Sequence, residues 1–120
     1  MDEPASKLLI GIVGPCGSGK STLKAGLEQK GYSCRHIAQE HSYVQYMWKH
    51  ITNPDVLIFL NASFEVSTSR RKLNWQEADY DEQQRRLAHA RQHASLIIET
   101  DTLTANEVLE NALKFLKRKI

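Results

Sequence analysis

A glycine-rich segment, GPCGSGKST at residues 14–22, lies between an apolar run and a segment with helical periodicity; we call it the glycine loop. The run before it, KLLIGIV at residues 7–13, is typical of a parallel strand that is covered on both faces. After the loop, Leu23 and Leu27 lie four residues apart on one helical face, and Gly31 can adopt the left-handed conformation that ends many helices. The sequence therefore predicts a strand, a glycine loop and a helix in direct succession.

Three further segments have the composition of strands: YSCRHIA at residues 32–38, DVLIFL at 55–60 and SLIIET at 95–100. Segments with helical character separate them. Strands that alternate with helices form a parallel sheet with helices on both faces. We therefore predict an α/β fold, a three-layer α/β/α sandwich with a short, mainly parallel sheet of about four strands.

Capping residues set the predicted helix boundaries. A short helix begins near Ser42, and Ser63 caps a second helix that runs through Arg71. Helical character resumes at Asn74 or Asp81 and continues to about His93. In the last helix, Thr104 and Glu107 have the spacing of a capping box. The apolar stripe of that helix comprises Val108, Leu109, Ala112, Leu113, Leu116 and Ile120.

The length of 120 residues corresponds to one ordinary domain, so we expect a single domain over residues 1–120, with residues 1–6 flexible. The apolar runs are far shorter than the roughly 18 residues that a membrane span needs. The first four residues, MDEP, lack the basic start of a signal peptide. These features predict a cytoplasmic protein with no membrane partner.

The formal net charge of +2 is too small to indicate a nucleic-acid partner. The two cysteines, Cys16 and Cys34, are too few for a disulfide framework, and a reducing compartment would keep both as thiols. Cys16 lies inside the glycine loop, where its oxidation could block the site. Alternatively, Cys16 has no such role and is only a small residue that fits a tight turn.

The glycine loop has the chemistry of a phosphate site. Glycines at 14, 17 and 19 let backbone N–H groups converge on an anion without steric interference. Lys20 adds a positive charge for the β- and γ-phosphates at the helix N-terminus, and Ser21 can bind Mg²⁺ through its hydroxyl. These residues predict a phosphate site.

The stretch GIVGPCGSGKST resembles the Walker A loop of the P-loop NTPases. The resemblance implies that the phosphate-binding residues are Gly14, Pro15, Cys16, Gly17, Ser18, Gly19, Lys20, Ser21 and Thr22. Two later stretches, DVLIFLNASFEVSTSRR and LIIETDTLTANEVLENAL, are similar to strand-helix segments of the small-molecule kinases in that superfamily, such as adenylate, shikimate, gluconate and dephospho-coenzyme A kinases. The resemblance implies a P-loop NTPase fold with ATP and Mg²⁺ as cofactors. It also implies that Arg70 and Arg71 belong to a lid that neutralises charge on the transferred phosphoryl group, and that Asp101 and Thr102 border the adenine.

The sequence departs from that pattern at two places. The third strand is followed by Asn61, which cannot act as an anionic base, where the resemblance implies an acidic residue. We expect Glu40 to replace it if the second strand lies beside the first, and to hold Mg²⁺ or accept a proton; an exposed loop glutamate is the alternative. The segment between Gln39 and Asn53 is too short for a separate acceptor-binding lobe.

Two functions remain open at this level. The first is an enzyme, a P-loop kinase or slow ATPase that transfers phosphoryl groups to an unidentified small molecule or to water, with Lys20, Glu40, Arg70 and Arg71 as catalytic residues. The second is a nucleotide-dependent binding module with little chemistry. A homodimer could complete the site by supplying Arg70 or Arg85 from the partner. His89 and His93 have the i, i+4 spacing of a chelating pair, but no acidic or cysteine partner accompanies them at diagnostic spacing, so we expect a solvated helix face.

Overall fold

Four parallel strands form the central sheet of the computed structural model, which describes residues 8–119. They are β1 (Leu9–Val13), β2 (Ser33–His36), β3 (Val56–Asn61) and β4 (Leu96–Glu99), in the spatial order β2-β1-β3-β4. Every neighbouring pair in this sheet is parallel. The predicted small α/β fold with a four-stranded parallel sheet is confirmed. The predictions for residues 1–6, Lys7 and Ile120 lie outside the described residues.

In the described part of the chain, five α-helices accompany the sheet: α1 (Lys20–Gln29), α2 (Phe64–Arg71), α3 (Glu77–Arg86), α4 (Ala88–His93) and α5 (Ala105–Lys119). Two predicted caps are present. The Ser63 hydroxyl accepts a hydrogen bond of 3.2 Å from the backbone N–H of Val66. The Thr104 hydroxyl and the Glu107 carboxylate accept bonds of 3.1 and 2.8 Å from each other's backbone N–H groups. After α2, however, the next helix starts at Glu77 rather than at Asn74 or Asp81.

Apolar side chains cover both faces of the sheet, which is consistent with a three-layer arrangement. On one face, α1 and α5 pack against the inward residues of β1 and β3, with Leu27 and Leu116 fully buried there. On the other face, Trp48, Leu87 and Ala90 pack around Phe59. Burying a side chain such as Leu or Phe contributes about 1.5–3 kcal/mol, so these two cores stabilise the strands that carry the loops.

The segment after β2 differs from the predicted short helix. It contains a 3₁₀ turn (Gln39–His41) and a π-helical turn (Trp48–Thr52), with irregular chain between them. Gln39 is fully buried; its amide donates to the carbonyls of Val44 and Arg86 at 2.8 and 3.1 Å and accepts the Trp48 N–H at 2.9 Å. The prediction of one helix here is wrong, because this buried amide supplies partners that a regular helix would otherwise provide.

Within residues 8–119, none of the helices combines the length and apolarity that crossing a bilayer requires.

Candidate functional site

The glycine loop connects the end of β1 to the start of α1, as predicted. Its glycines have positive φ angles of 157° at Gly14, 81° at Gly17 and 99° at Gly19. At Gly17, a β-carbon would lie 2.6 Å from the carbonyl oxygen of Ser67 in α2, so the close approach of α2 requires glycine. The loop thereby opens at the carboxyl edge of the sheet, where parallel α/β folds commonly bind ligands.

Lys20 occupies a buried position inside this loop. Its ammonium group donates to the carbonyls of Gly14 and Pro15 at 2.7 and 3.0 Å and lies 3.1 Å from the Glu40 carboxylate. The side chains of Lys20 and Glu40 are only 6% and 4% exposed. Glu40 is therefore not an exposed loop glutamate; it supplies the counter-charge of the loop lysine.

The pairing of β1 with β2 explains this contact. Ile12 of β1 lies opposite His36 of β2 in the parallel register, so the segments that follow the two strands leave the sheet at the same edge. The 3₁₀ turn that follows β2 then brings Glu40 beside the loop. The other carboxylate oxygen, Oε1, is buried and has no hydrogen-bond partner among the described residues, so the carboxylate keeps acceptor capacity beyond Lys20.

A buried glutamine on α3 holds the first half of the loop. The backbone N–H of Cys16 donates to Gln83 Oε1 at 3.0 Å, and Gln83 Nε2 donates to Cys16 Sγ at 3.2 Å. Gln83 is 7% exposed. The sequence analysis missed this residue, because a glutamine in a charged helical segment carries no local signal of burial.

A cavity of about 470 Å³ lies in front of the loop. His36, which the sequence analysis did not assign to the site, lines it. Partial burial lowers the pKa of the His36 imidazole below its usual value, and the charge of Lys20 lowers it further. The predicted site residues on the wall are Cys16, Gly17, Gly19, Lys20, Ser21, Thr22, Glu40, Arg70 and Arg71.

A second, smaller cavity of about 190 Å³ adjoins the first. Gly19, Thr22 and Arg70 line both. Its remaining wall is largely apolar and is formed by α1, the loop after β4 and α5; it comprises Ser18, Leu23, Thr100, Leu103, Ala105 and Val108.

Arg70 is fixed between the two cavities. Its guanidinium donates to the Thr100 hydroxyl at 2.9 Å and to the Thr100 carbonyl at 2.6 Å. Two N–H groups of the Arg70 guanidinium thus hold α2 against the end of β4. The positive charge of Arg70 remains at the cavity wall.

Four predicted site residues, Gly14, Pro15, Asp101 and Thr102, do not line either cavity. Thr100 and Leu103 line the smaller cavity on either side of Asp101 and Thr102. The Asp101 carboxylate instead accepts the Ser63 N–H at 2.9 Å, and Thr102 is exposed. Gly14 and Pro15 contribute their carbonyls to Lys20.

Two other candidates lie away from the loop. Asn61 donates to the Glu99 carboxylate at 2.9 Å, so it belongs to the β3–β4 edge. His89 accepts the Trp48 indole N–H at 3.1 Å, and its ring centroid is 4.3 Å from that of His93. Within residues 8–119 no third metal-ligating side chain joins these two histidines.

The two cysteines should differ in reactivity. Burial raises the pKa of the Cys34 thiol to about 11, with the nearby Glu28 carboxylate adding to the shift. Cys16 is partly exposed at the cavity. Since the thiolate is the reactive form, iodoacetamide at neutral pH should modify Cys16 and leave Cys34 unmodified in the folded protein. Mass spectrometry of the wild type and of Cys16→Ser tests this; alkylation of folded Cys16→Ser at the rate of the unfolded chain would contradict it.

No protein-family model matches this chain, and no curated protein matches its sequence. Among solved structures, ribose-5-phosphate isomerase B from Giardia lamblia is similar, with a TM-score of 0.53 and 12% identity, covering 92% of this chain and 88% of that chain. At this identity the likeness shows the fold alone. The fold and site define a small Rossmann-like α/β protein with a glycine loop at the carboxyl edge of its sheet.

The predicted membership in the P-loop NTPases, and with it the assignment to the small-molecule kinases, is therefore wrong. The structural similarity is to a Rossmann-like protein, and no family model supports the assignment. The physical reason is that a glycine loop before a helix N-terminus can bind an anion in more than one parallel α/β fold. The loop pattern alone therefore does not identify the family.

Proposed function

We propose that this protein binds ATP at the two adjoining cavities. The arrangement of the cavities carries the proposal. One contains Lys20, Arg71 and the start of α1, and the other is lined mainly by apolar side chains, with Gly19 and Arg70 between them. A nucleoside triphosphate has the matching polarity, with an anionic chain at one end and a flat, largely apolar base at the other.

The phosphates would lie against the glycine loop. The first N–H groups of a helix have no intrahelical partners, and they favour anions together with the helix dipole. Lys20 would turn from the carbonyls of Gly14 and Pro15 toward the phosphate chain. Ser21 and Glu40 offer oxygen ligands on the same cavity wall, and the unpartnered Oε1 of Glu40 fits a role in holding Mg²⁺ directly or through water.

The leading form of this proposal is phosphoryl transfer to a small molecule, or slow hydrolysis. An acceptor oxygen attacks the γ-phosphorus, the bond to the bridging oxygen breaks, ADP leaves, and the acceptor proton passes to Glu40 or to solvent. Bound Mg²⁺ would neutralise charge on the phosphate chain. Lys20, Arg70 and Arg71 would contribute by positioning and by stabilising developing negative charge.

One observation favours a second candidate, a binding module that uses ATP as a ligand. Among the described residues that line the larger cavity, Glu40 is the one carboxylate, and it is already paired with Lys20. No other carboxylate among the described residues lines this cavity to accept a proton from an acceptor hydroxyl, which favours binding over turnover.

Phosphorus NMR of Mg-ATP mixed with the protein, with and without a pool of small metabolites, distinguishes these functions. A new phosphomonoester signal that requires the metabolites and Lys20 indicates a kinase, and release of inorganic phosphate indicates an ATPase. Broadened ATP signals without turnover indicate the binding module. Lys20→Ala is the test variant, and Lys24→Ala, one turn further along α1, is its matched control. Unbroadened, unreacted ATP with the wild-type protein would overturn the proposal.

A further inference from the structure

Three side chains of different chemistry converge at the mouth of the glycine loop: Cys16 from the loop, and Glu40 and His41 from the 3₁₀ turn after β2. Cys16 Sγ lies 3.7 Å from His41 Nε2, and His41 Nε2 lies 3.8 Å from Glu40 Oε2. One ligand atom from each residue falls within 4.8 Å of the others. We propose that this cluster binds Zn²⁺ through the Cys16 thiolate, the His41 imidazole and the Glu40 carboxylate.

The separations are close to those of a tetrahedral zinc site. With Zn–S of about 2.3 Å and Zn–N or Zn–O of about 2.0–2.1 Å, neighbouring ligand atoms lie about 3.3–3.6 Å apart. The observed 3.7 and 3.8 Å require movements of a few tenths of an ångström at these two pairs, and the third pair, Cys16 Sγ and the Glu40 carboxylate, lies within 4.8 Å. The His41 side chain is 59% exposed, so solvent leaves it room for this adjustment.

The surroundings of each ligand support metal binding independently of the distances. Gln83 Nε2 donates to Cys16 Sγ at 3.2 Å, an outer contact of the kind that orients a thiolate ligand and stabilises its charge. Glu40 Oε1 is buried and has no hydrogen-bond partner among the described residues, although Oε2 is paired with Lys20. Oε2 is the oxygen that lies 3.8 Å from His41, so a metal ion would share Oε2 with Lys20 or take the unpartnered Oε1.

The ligand set selects the metal. Thiolate and imidazole ligands favour Zn²⁺, whereas Mg²⁺ prefers oxygen ligands, so this site selects a different metal from the proposed Mg²⁺ position at Ser21, with which it shares Glu40. A thiolate and a carboxylate together match the two positive charges of Zn²⁺, and the Lys20 ammonium group beside the carboxylate adds one more positive charge. Three protein ligands leave a fourth position for water or a ligand oxygen, as in open zinc sites. All three residues line the larger cavity, which gives the ion a route to solvent.

A Co²⁺ titration of the purified protein tests the site, because a cobalt–thiolate bond produces charge-transfer absorption in the near ultraviolet. We expect this absorption to saturate at one equivalent and to disappear when Zn²⁺ is added. Cys16→Ser should abolish it, and His41→Gln should weaken Zn²⁺ binding, measured against a chromogenic chelator, by roughly tenfold or more. Cys34→Ser and His50→Gln, a buried cysteine and an exposed histidine outside the cluster, are the matched controls and should behave as the wild type.

Circular dichroism of each variant establishes that it is folded. Absence of the charge-transfer absorption in the wild type would overturn the proposal, as would its persistence in Cys16→Ser. Loss of zinc affinity in His89→Gln with full affinity in His41→Gln would place the metal at the His89–His93 pair instead and would also overturn it. No step of this test requires nucleotide, so its outcome is separate from that of the proposed ATP site.

Discussion

Replacing Lys20 with methionine should lower the free energy of unfolding by about 3–5 kcal/mol, because the change leaves the Glu40 carboxylate buried without its counter-charge. Both side chains are more than nine-tenths buried, so water cannot screen the charge. The double variant Lys20→Met/Glu40→Gln should recover much of this loss, since the glutamine is neutral. Neither variant should bind ATP, because the ammonium group is absent in both.

Urea unfolding followed by circular dichroism, together with calorimetric titration of ATP, separates these two effects. Lys24→Met is the matched control: Lys24 forms an exposed pair with Glu28 at 3.0 Å, and losing it should cost under about 0.5 kcal/mol. Equal instability of the single and double variants would show that Lys20 and Glu40 are not coupled. ATP affinity preserved in the double variant would remove Lys20 from the proposed site.

Replacing Gly17 with alanine should destabilise the protein and abolish ATP binding. The positive φ of 81° costs an alanine about 1–2 kcal/mol, and its β-carbon would lie 2.6 Å from the Ser67 carbonyl oxygen. Relieving that overlap requires the loop to move away from α2, at a further cost of about 1–3 kcal/mol. The displaced loop would no longer present its N–H groups to the phosphates.

Gly31→Ala is the control that isolates backbone strain. Gly31 has a similar φ of 94°, but nothing lies within 4 Å of the position of its β-carbon. It should therefore lose only the strain term and keep its affinity for ATP. The two unfolding free energies and two ATP titrations provide the comparison; equal losses of stability in both variants would show that the contact between the loop and α2 is unimportant.

Much of the fold could be predicted from the sequence because the signals are local. Three apolar runs and the segment YSCRHIA indicated the four strands, and the capping residues Ser63 and Thr104 stand at the starts of α2 and α5. The glycine loop was located correctly for the same reason, since glycines and a following helical pattern are sufficient to indicate it. The assignment to the P-loop NTPases rested on the same loop and was wrong, because a local loop pattern does not specify the fold around it.

The segment after β2 could not be predicted in this way. Gln39 is buried, and its amide donates to the carbonyl of Arg86, which lies 47 positions away along the chain. Gln83 likewise contacts the glycine loop through Cys16, which lies 67 positions away along the chain. Neither contact has a signature in the neighbouring residues, because it depends on where α3 packs.

The sequence by itself determined the order of strands and helices, the glycine loop and the charge that Lys20 brings to it. Only the tertiary structure decided that Glu40 is buried against Lys20 and lies beside Cys16 and His41. The physical reason is that secondary-structure periodicity and capping act between residues close in sequence, whereas the position of β2 beside β1 is set by cross-strand hydrogen bonding and by packing on both faces of the sheet.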